Sequence, residues 1–556
     1  MVKYDNPVFE KLQELLSQRQ HEKAQKILDT LAAQNLSDKD LIISKLFKCQ
    51  LLVDKEEFKE GLSLANTIIQ EARKSNFVYQ QVQCILHLSM IYKHLGKVDE
   101  GIKVLEKGIK LLNTLPKNYN TKDLRASLLF NKGLIFIIKS QFDNAFNNFE
   151  KSLGLYQELD NKRNINQCLN ALGVATVNKG EIERSREYFL PALKISKELG
   201  LKRVILSLLN NIGITYTDTG ELQKSLDYYL EALPIAEELG LNYSIGNLNN
   251  NIGNVLRKQG MLNAALGYYD QSLKAFEELG DKERLAILRG NIGAVNESIG
   301  ELDLAEEHLQ WSYQTHKKLE NKRFMINALL DMAMVHRKKG KLNEAYNELK
   351  EAQTFCQEIE NQILEARVLA SLIKLNIEQE EIIKAKNNLQ NLRRIKEAKD
   401  NAQLDLYYDF SFGLVEKSRR TEKKSGLRFT SIHEELARIV NAQNVFEAII
   451  NGEIIEHSVT VDAIYELSEL LILELKTLGN EEIINNITKL TERLIAIGED
   501  QNSFVLLART YLLQSYLALL EPDLKKSKIL LAKALKITKD IGYTRLTRVI
   551  KGEQKR

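Results

Sequence analysis

The 556-residue sequence is poor in proline, in cysteine and in long apolar runs. Its five prolines permit long helices, because proline clashes with a helix interior, and they exclude a collagenous chain. Four cysteines without a Cys-x-x-Cys spacing offer neither a disulfide framework nor a zinc knuckle. No apolar run approaches the roughly 18–20 residues that span a bilayer, and the start lacks the apolar core of a signal peptide. We therefore expect a helical, cytoplasmic protein.

Sequence motifs of catalysis and cofactor binding are also missing. The chain contains no Gly-x-x-x-x-Gly-Lys-Ser/Thr loop, no Gly-x-Gly-x-x-Gly, no Gly-x-Ser-x-Gly and no His-Glu-x-x-His. Glutamate pairs such as Glu237-Glu238 and Glu277-Glu278 recur in the same slot of successive segments, which is typical of a solvated face. We expect a protein that is not an enzyme, with no catalytic residues, no cofactor and no metal site.

What the sequence has in abundance is a period of forty residues. Glycine occupies one slot at Gly180, Gly220, Gly260, Gly300 and Gly340. A second slot, seven residues earlier, holds Gly173, Gly213, Gly253 and Gly293, with Ala333 continuing the series. Apolar stripes with a helical period lie on both sides of the first slot, so it predicts left-handed residues that end a helix. The second slot lies inside a helix, where glycine costs about 1 kcal/mol relative to alanine, and it predicts close packing of a neighbouring helix.

Three further slots keep the same step. A small residue follows the turn at Ala145, Ser185, Ser225, Ala265, Ala305 and Ala345, and an aromatic or leucine follows at Phe149, Phe189, Tyr229, Tyr269, Leu309 and Leu349. The last slot holds Ser152, Ala192, Ala232, Ser272, Ser312 and Ala352. This pattern resembles the tetratricopeptide repeat (TPR) in the long form of kinesin light chains, Pins-type polarity scaffolds and bacterial peptide-sensing regulators. The resemblance implies an all-α fold, a right-handed α-solenoid superhelix of TPR helix pairs.

The regularity of the repeat predicts four sections. Degenerate N-terminal units occupy 1–120 and the regular array occupies 121–360. A degenerate unit with a charged connection occupies 361–430, and a helical TPR-like block occupies 431–556. Part of this last block, from Ala442 to Glu521, is similar to the end of large uncharacterised archaeal TPR-array proteins, a resemblance that brings no known activity.

The first helix of each TPR pair lines a concave groove, and the predicted groove positions are rich in asparagine. They are Asn131, Asn170, Asn210, Asn211, Asn247, Asn250, Asn251, Asn254, Asn291 and Asn327. The resemblance to long-repeat TPR families implies that these amides hydrogen-bond the main chain of an extended peptide, since asparagine offers donors and an acceptor. Four cations on the same face, Arg257, Lys258, Arg337 and Lys338, would favour an acidic ligand. The alternatives are that the asparagines reflect composition or bridge neighbouring helices, and that the cations are ordinary solvated charges.

These features favour a protein–protein interaction scaffold or adaptor that binds an extended segment of a protein or peptide. Trp311, the single tryptophan, stands in a slot that is otherwise mostly polar, where it predicts either an outer contact with a partner or local packing. Residues 523–556 hold 8 Lys and 3 Arg against 2 Asp and 1 Glu, a sum of +8. The alternative function is therefore a regulator or scaffold that contacts nucleic acid or an anionic membrane through this end. A solvated helix that caps the solenoid is the simpler interpretation of this basic end. Assembly into a homo-oligomer is a separate alternative.

Overall fold

The computed structural model describes residues 6–18, 20–399, 401–418, 432–452, 457–478, 481–500, 503–541 and 543–555. These residues form helices joined by short turns, and no strand occurs among them. The predicted charged connection, Arg419 to Gly426, lies outside the described residues. In chain order the helices are α1 (Pro7–Ser17), α2 (His21–Ala32), α3 (Asp38–Asp54), α4 (Phe58–Lys74), α5 (Val78–His94), α6 (Val98–Leu112), α7 (Tyr119–Ile138), α8 (Phe142–Glu158), α9 (Lys162–Asn178), α10 (Ile182–Glu198), α11 (Lys202–Asp218), α12 (Leu222–Glu238), α13 (Asn242–Lys258), α14 (Leu262–Leu279), α15 (Lys282–Ile299), α16 (Leu302–Lys318), α17 (Lys322–Lys339), α18 (Leu342–Ile359), α19 (Gln362–Glu378), α20 (Ile382–Ala398), α21 (Ala402–Ser418), α22 (Ile432–Asn451), α23 (His457–Leu478), α24 (Glu481–Asp500), α25 (Phe504–Leu520), α26 (Leu524–Asp540) and α27 (Thr544–Lys555).

The chain divides into two compact units, 1–215 and 216–556, with the boundary inside α11. Within each unit the helices follow one another as pairs, and each pair packs on the next one along the chain. In the second unit the regular pairs are α13 with α14, α15 with α16, α17 with α18 and α19 with α20. The predicted all-α fold of stacked helix pairs is confirmed.

The glycines of the first slot end helices as predicted. Gly180 and Gly260 have φ angles of 84° and 83°, in the left-handed region, where glycine carries no steric penalty because it lacks a Cβ atom. The other three members of the series also have positive φ angles. Each therefore closes the first helix of a pair and lets the chain turn into the second.

The glycines of the second slot allow the close packing that the sequence predicts. A Cβ atom on Gly253 would lie 2.5 Å from Cε1 of Tyr269, and one on Gly133 would lie 2.5 Å from Cε1 of Phe149. Both rings are almost fully buried, so the aromatic residue of the second helix rests directly on the bare backbone of the first. This contact joins two slots of the repeat and explains why both keep the same forty-residue step.

The last repeated slot supplies hydrogen bonds between paired helices. Its serines are buried, and each donates from its hydroxyl to a backbone carbonyl of the first helix, 26 residues earlier in the chain. The bonds run from Ser152 to Ala126 at 2.8 Å, from Ser272 to Gly246 at 2.7 Å and from Ser312 to Ala286 at 2.8 Å. A larger side chain would separate the helices, which accounts for the restriction to serine and alanine.

One buried histidine of the array predicts acid sensitivity. His316 of α16 is fully buried and stacks on Phe324, with ring centroids 4.9 Å apart, and neither ring nitrogen has a hydrogen-bond partner among the described residues. Burial lowers the pKa of His316, with Glu283 acting in the opposite direction. The unfolded chain therefore binds a proton more readily, and stability should fall as the pH drops below about 6.5. We expect His316→Leu to lose less stability than the parent chain between about pH 7 and pH 5, measured by urea unfolding.

A second histidine, His336, predicts a pH dependence of stability with the opposite sign. The carboxylate of Glu348, 2.8 Å from Nδ1 of His336, raises the pKa of His336 against the effect of burial. This contribution to stability is present below the unfolded pKa and is lost as the pH rises. His336→Gln should therefore steepen the loss of stability on acidification. Identical pH profiles for the two variants would contradict the assignment.

Candidate peptide-binding surface

The first helices of three consecutive pairs, α13, α15 and α17, bring predicted groove asparagines to neighbouring positions in the second unit. Nδ2 of Asn291 on α15 donates to Oδ1 of Asn250 on α13 at 2.9 Å, across 41 residues of sequence. A repeat of forty residues places equivalent positions of adjacent helices side by side. The sequence alternative in which asparagines bridge neighbouring helices is therefore realised at this pair.

Two more asparagines use their carbonyl oxygen in the same way. The Tyr269 hydroxyl donates to Oδ1 of Asn254 at 2.8 Å, and NH1 of Arg367 donates to Oδ1 of Asn327 at 2.9 Å. Because arginine can only donate, it fixes the oxygen of Asn327 inward and leaves the NH2 group to point elsewhere. The NH2 groups of Asn250, Asn254 and Asn327 have no hydrogen-bond partner within the described chain and are not sealed from solvent. We call Asn250, Asn254, Asn291 and Asn327 the asparagine row.

The other predicted groove asparagines are half-buried and have varied surroundings. On α7, Nδ2 of Asn131 donates to the carbonyl of Ser127 in its own helix at 2.9 Å. On α9, Oδ1 of Asn170 is buried without a hydrogen-bond partner in the described structure. The remaining four are Asn210 and Asn211 of α11, and Asn247 and Asn251 of α13. Asn210 and Asn251 interact within the chain.

The structure corrects the prediction that Arg337 and Lys338 lie open to an acidic ligand. NH1 of Arg337 lies 2.5 Å from Oε1 of Glu378, and Nζ of Lys338 lies 2.7 Å from Oε1 of Glu297. Lys338 also donates to the carbonyl of Glu297 at 2.8 Å and is only 8% exposed. Both pairs span 41 residues, so the repeat step that joins Asn250 to Asn291 also places carboxylates of neighbouring repeats beside these cations. Both cations therefore already have carboxylate partners within the chain.

The first pair of predicted cations is also engaged. Arg257 and Lys258 are half-buried, and both interact with other groups of the chain. Burial raises the pKa of Tyr269 to about 12, partly opposed by the Arg257 guanidinium. Arg257 therefore lies beside the tyrosine that orients Asn254.

Comparisons with known proteins identify the repeat. The family models described as tetratricopeptide repeat match residues 82–111, 167–238 and 244–318. The chain carries tetratricopeptide repeats. A model described as anaphase-promoting complex subunit 5 matches 299–379, which overlaps the last regular TPR units. No curated protein matches the chain.

Several solved structures are similar to this chain at low sequence identity. The apo form of RapI is 17% identical, with a TM-score of 0.53, over 64% of this chain and 97% of RapI. The apo quorum sensor NprR from B. thuringiensis is 15% identical, with a TM-score of 0.48, over 63% of this chain and 97% of NprR. A signal transduction ATPase with a TPR sensor from Pyrococcus horikoshii is 13% identical, with a TM-score of 0.46, over 61% of this chain and 52% of that one. The likeness to RapI supports the solenoid fold of the TPR array.

The C-terminal helices cover one end of the TPR first helices, which the sequence did not predict. The Ser503 hydroxyl, just before α25, donates to the carbonyl of Ser298 on α15 at 2.9 Å. Arg545 of α27 pairs with Glu378 of α19, the residue that also holds Arg337. Side chains of Val505 and Ile541 approach Gly300 so closely that a Cβ there would lie 3.1 Å from each. The carboxyl ends of α15, α17 and α19 are therefore covered by this chain's own helices, whereas the asparagine row lies nearer the middle of its helices.

Asp462 of α23, which is half-buried, anchors this cover. Its carboxylate lies 2.5 Å from Nζ of Lys374 on α19 and 2.8 Å from NH1 of Arg509 on α25. Burial acts to raise the pKa of Asp462, but Lys374 and Arg509 hold it well below its usual range. The available sequence signal was Arg509, the single charged residue of the leucine-rich helix α25.

Trp311 of α16 packs locally and keeps one exposed edge. The Arg289 guanidinium of α15 lies 4.6 Å from the ring centroid, in cation–π geometry. The tryptophan is 37% exposed. The contact with Arg289 realises the local-packing alternative, and the predicted outer contact stays a prediction for the exposed edge.

The described residues contain neither a metal-binding cluster nor a membrane-spanning helix. Among the residues that the structure describes, no group of three or more His, Cys, Asp and Glu side chains is placed to hold a metal ion. Within that same part of the chain, every helix is too short or too polar to cross a membrane.

Proposed function

We propose that the protein is an interaction scaffold or adaptor that binds an extended segment of another protein along the asparagine row. The observation that carries the proposal is the orientation of the row. Each member uses one half of its amide inside the protein and keeps the other half for a partner. Peptide backbone presents both donors and acceptors. The outward NH2 groups on α13 and α17 are suited to its carbonyl oxygens, and Oδ1 of Asn291 on α15 is suited to an N–H group.

The internal hydrogen bonds also reduce the cost of binding. A free asparagine side chain loses rotamer freedom when it is immobilised at an interface, at a cost of about 0.5–1.5 kcal/mol for a flexible side chain. Tyr269 and Arg367 already hold Asn254 and Asn327 in place. The row is therefore ordered before a ligand arrives, which favours binding through the main chain over recognition of particular side chains.

The charge expected of the ligand depends on whether the four predicted groove cations are available to it. Arg257, Lys258, Arg337 and Lys338 all interact within the chain, and the row itself is neutral. The proposed ligand is thus an extended segment chosen mainly by its backbone and by fit, without the acidic character that the sequence favoured.

Alanine substitution in the row tests the proposal. Peptides are selected by display on the full chain, and their affinities are then measured for Asn250→Ala/Asn254→Ala/Asn327→Ala. Three lost hydrogen bonds of about 1 kcal/mol each correspond to an affinity loss on the order of 100-fold. The measurement is isothermal titration calorimetry with the parent chain as reference.

The matched control removes asparagines from second helices. Asn263 of α14 and Asn343 of α18 are exposed, and Asn263→Ala/Asn343→Ala should bind every selected peptide as the parent does. Circular dichroism confirms that both variants are folded. Unchanged affinity in the row variant, with folding intact, excludes this surface as the binding site.

A further inference from the structure

Helix α26 near the end of the chain has one side fixed in the protein. Ser527, Leu530, Leu531, Ala534 and Thr538 form its buried side. Leu531 and Ala534 belong to a small core with residues of α25 and α27, including Ala508, Leu512, Leu546 and Ile550. Because α26 is anchored in this way, its opposite side is presented to solvent as an ordered surface.

That opposite side is strongly basic. It carries six exposed lysines and a single acidic residue, Asp540. The lysines are Lys525, Lys526, Lys528, Lys533, Lys536 and Lys539, and we call this set the lysine face. At 100° per residue they spread over the half of the helix opposite its buried residues.

Most of the lysine face has no internal counter-charge. Lys526 lies 3.6 Å from Glu521, and Lys533 lies over the Tyr511 ring at 5.5 Å. In the described residues Lys525, Lys528, Lys536 and Lys539 make no ion pair. They differ from Arg337 and Lys338 at the carboxyl end of α17, which pair with carboxylates of adjacent repeats.

Aliphatic side chains are exposed among these lysines. Ile529, with 50% of its surface exposed, lies one helical turn from both Lys525 and Lys533, and Leu524 at the start of the helix is 57% exposed. Neither α26 nor α27 contains an aromatic residue, and the nearby Tyr511 and Tyr543 pack against the core between α25, α26 and α27. The lysine face itself therefore carries no stacking platform of the kind that binds single-stranded nucleic acid. Lysine with interspersed aliphatic groups is the composition that adsorbs to anionic lipid.

We propose that the lysine face docks the protein on an anionic lipid surface, with Ile529 and Leu524 entering the headgroup region. The lysines supply the attraction to lipid phosphates and carboxylates, and the two aliphatic side chains add apolar contact that a purely ionic partner would not use. This inference goes beyond the proposed function, because it concerns other residues and a different class of partner.

Vesicle binding by the full chain tests this docking. We expect co-sedimentation with vesicles of phosphatidylcholine containing about one third phosphatidylserine, and none with phosphatidylcholine alone, since lysine is attracted by the negative surface potential. Lys525→Glu/Lys528→Glu/Lys536→Glu should lower the partition coefficient about 100-fold or more. The control Lys59→Glu/Lys107→Glu/Lys151→Glu makes the same charge change at exposed lysines of α4, α6 and α8 and should bind like the parent.

A second variant separates lipid from nucleic acid. Leu524→Ser/Ile529→Ser should reduce vesicle binding by about fivefold or more, because each buried aliphatic side chain contributes to adsorption, and it should not change binding to a duplex DNA or an RNA probe. Circular dichroism confirms that the variants are folded. Absence of vesicle binding at low salt overturns the proposal, as does tighter binding to the nucleic-acid probes than to the vesicles.

Discussion

Asp462→Ala should lower the free energy of unfolding of the second unit by about 1.5–3 kcal/mol, the usual contribution of a hydrogen bond to a charged group. The carboxylate lies between Lys374 and Arg509, and these two cations come from different helices. Without it, the two positive charges lose their shared counter-charge in a half-buried site. The cover formed by the C-terminal helices should loosen first, since Asp462 joins α23 to both α19 and α25.

Urea unfolding followed by the fluorescence of Trp311 and by circular dichroism measures this effect. The control is Asp303→Asn, because Asp303 is paired with Lys339 but is 97% exposed, and exposed pairs contribute little. The control should unfold at the same urea concentration as the parent. Equal effects of the two substitutions would show that Asp462 does not anchor the C-terminal helices.

Gly253→Ala should destabilise the same unit by about 2 kcal/mol, although alanine is the better helix former. The new methyl group would lie 2.5 Å from Cε1 and 2.7 Å from Cδ1 of Tyr269. The ring is fully buried, so either the ring or the helix must shift. Overpacking of this kind costs more than the roughly 1 kcal/mol that helix propensity returns.

Gly267 gives the matched comparison for this substitution. It lies inside α14, and a Cβ atom there would meet nothing within 4 Å, so Gly267→Ala should stabilise the protein by up to about 1 kcal/mol. Another repeat of this chain suggests a second substitution that would restore the stability of Gly253→Ala. The unit with Ala333 in the glycine slot has Leu349 in the aromatic slot. Gly253→Ala/Tyr269→Leu should therefore be more stable than the sum of its single effects. Stabilisation by both alanine substitutions would contradict the packing role of Gly253.

The regular part of the fold was predictable from sequence because its determinants are local and repeated. Gly180 and its equivalents mark the turns, and Gly253 with Tyr269 marks the contact between paired helices. These positions recur at one step, so several weak signals reinforce one another. The sequence therefore predicted the helix pairs, their turns and the close packing of first and second helices.

The cover by the C-terminal helices was not predictable in this way. It rests on single contacts between residues far apart in sequence, 88 residues for Lys374 with Asp462 and 205 residues for Ser298 with Ser503. No period links such positions. The sequence of each helix was equally compatible with solvated charges, and only the tertiary structure shows that Lys374 and Asp462 are paired.

The candidate site was likewise only partly predictable from the sequence. Residue type and slot identified Asn250 and Asn254, but they could not show which half of each amide is used inside the protein. The ion pairs of Arg337 and Lys338 were not predicted, because each partner lies one repeat away. Glu378 is on the next first helix, α19, and Glu297 is on the previous one, α15. Pairing across a 41-residue step follows from solenoid geometry and is invisible in the local sequence.

Site-specific photocrosslinking tests the groove most directly. A photoreactive amino acid replaces Asn247, one helical turn from Asn250 on α13, and in a second protein it replaces Lys274, an exposed residue of α14. Crosslinked partners are captured from the native cell extract and mapped by mass spectrometry. We predict that position 247 marks one short segment of a protein partner, that this product disappears in Asn250→Ala/Asn254→Ala/Asn327→Ala, and that position 274 yields no such product. Equal products at both positions, or a product at 247 that survives the alanine substitutions, would contradict binding along the asparagine row.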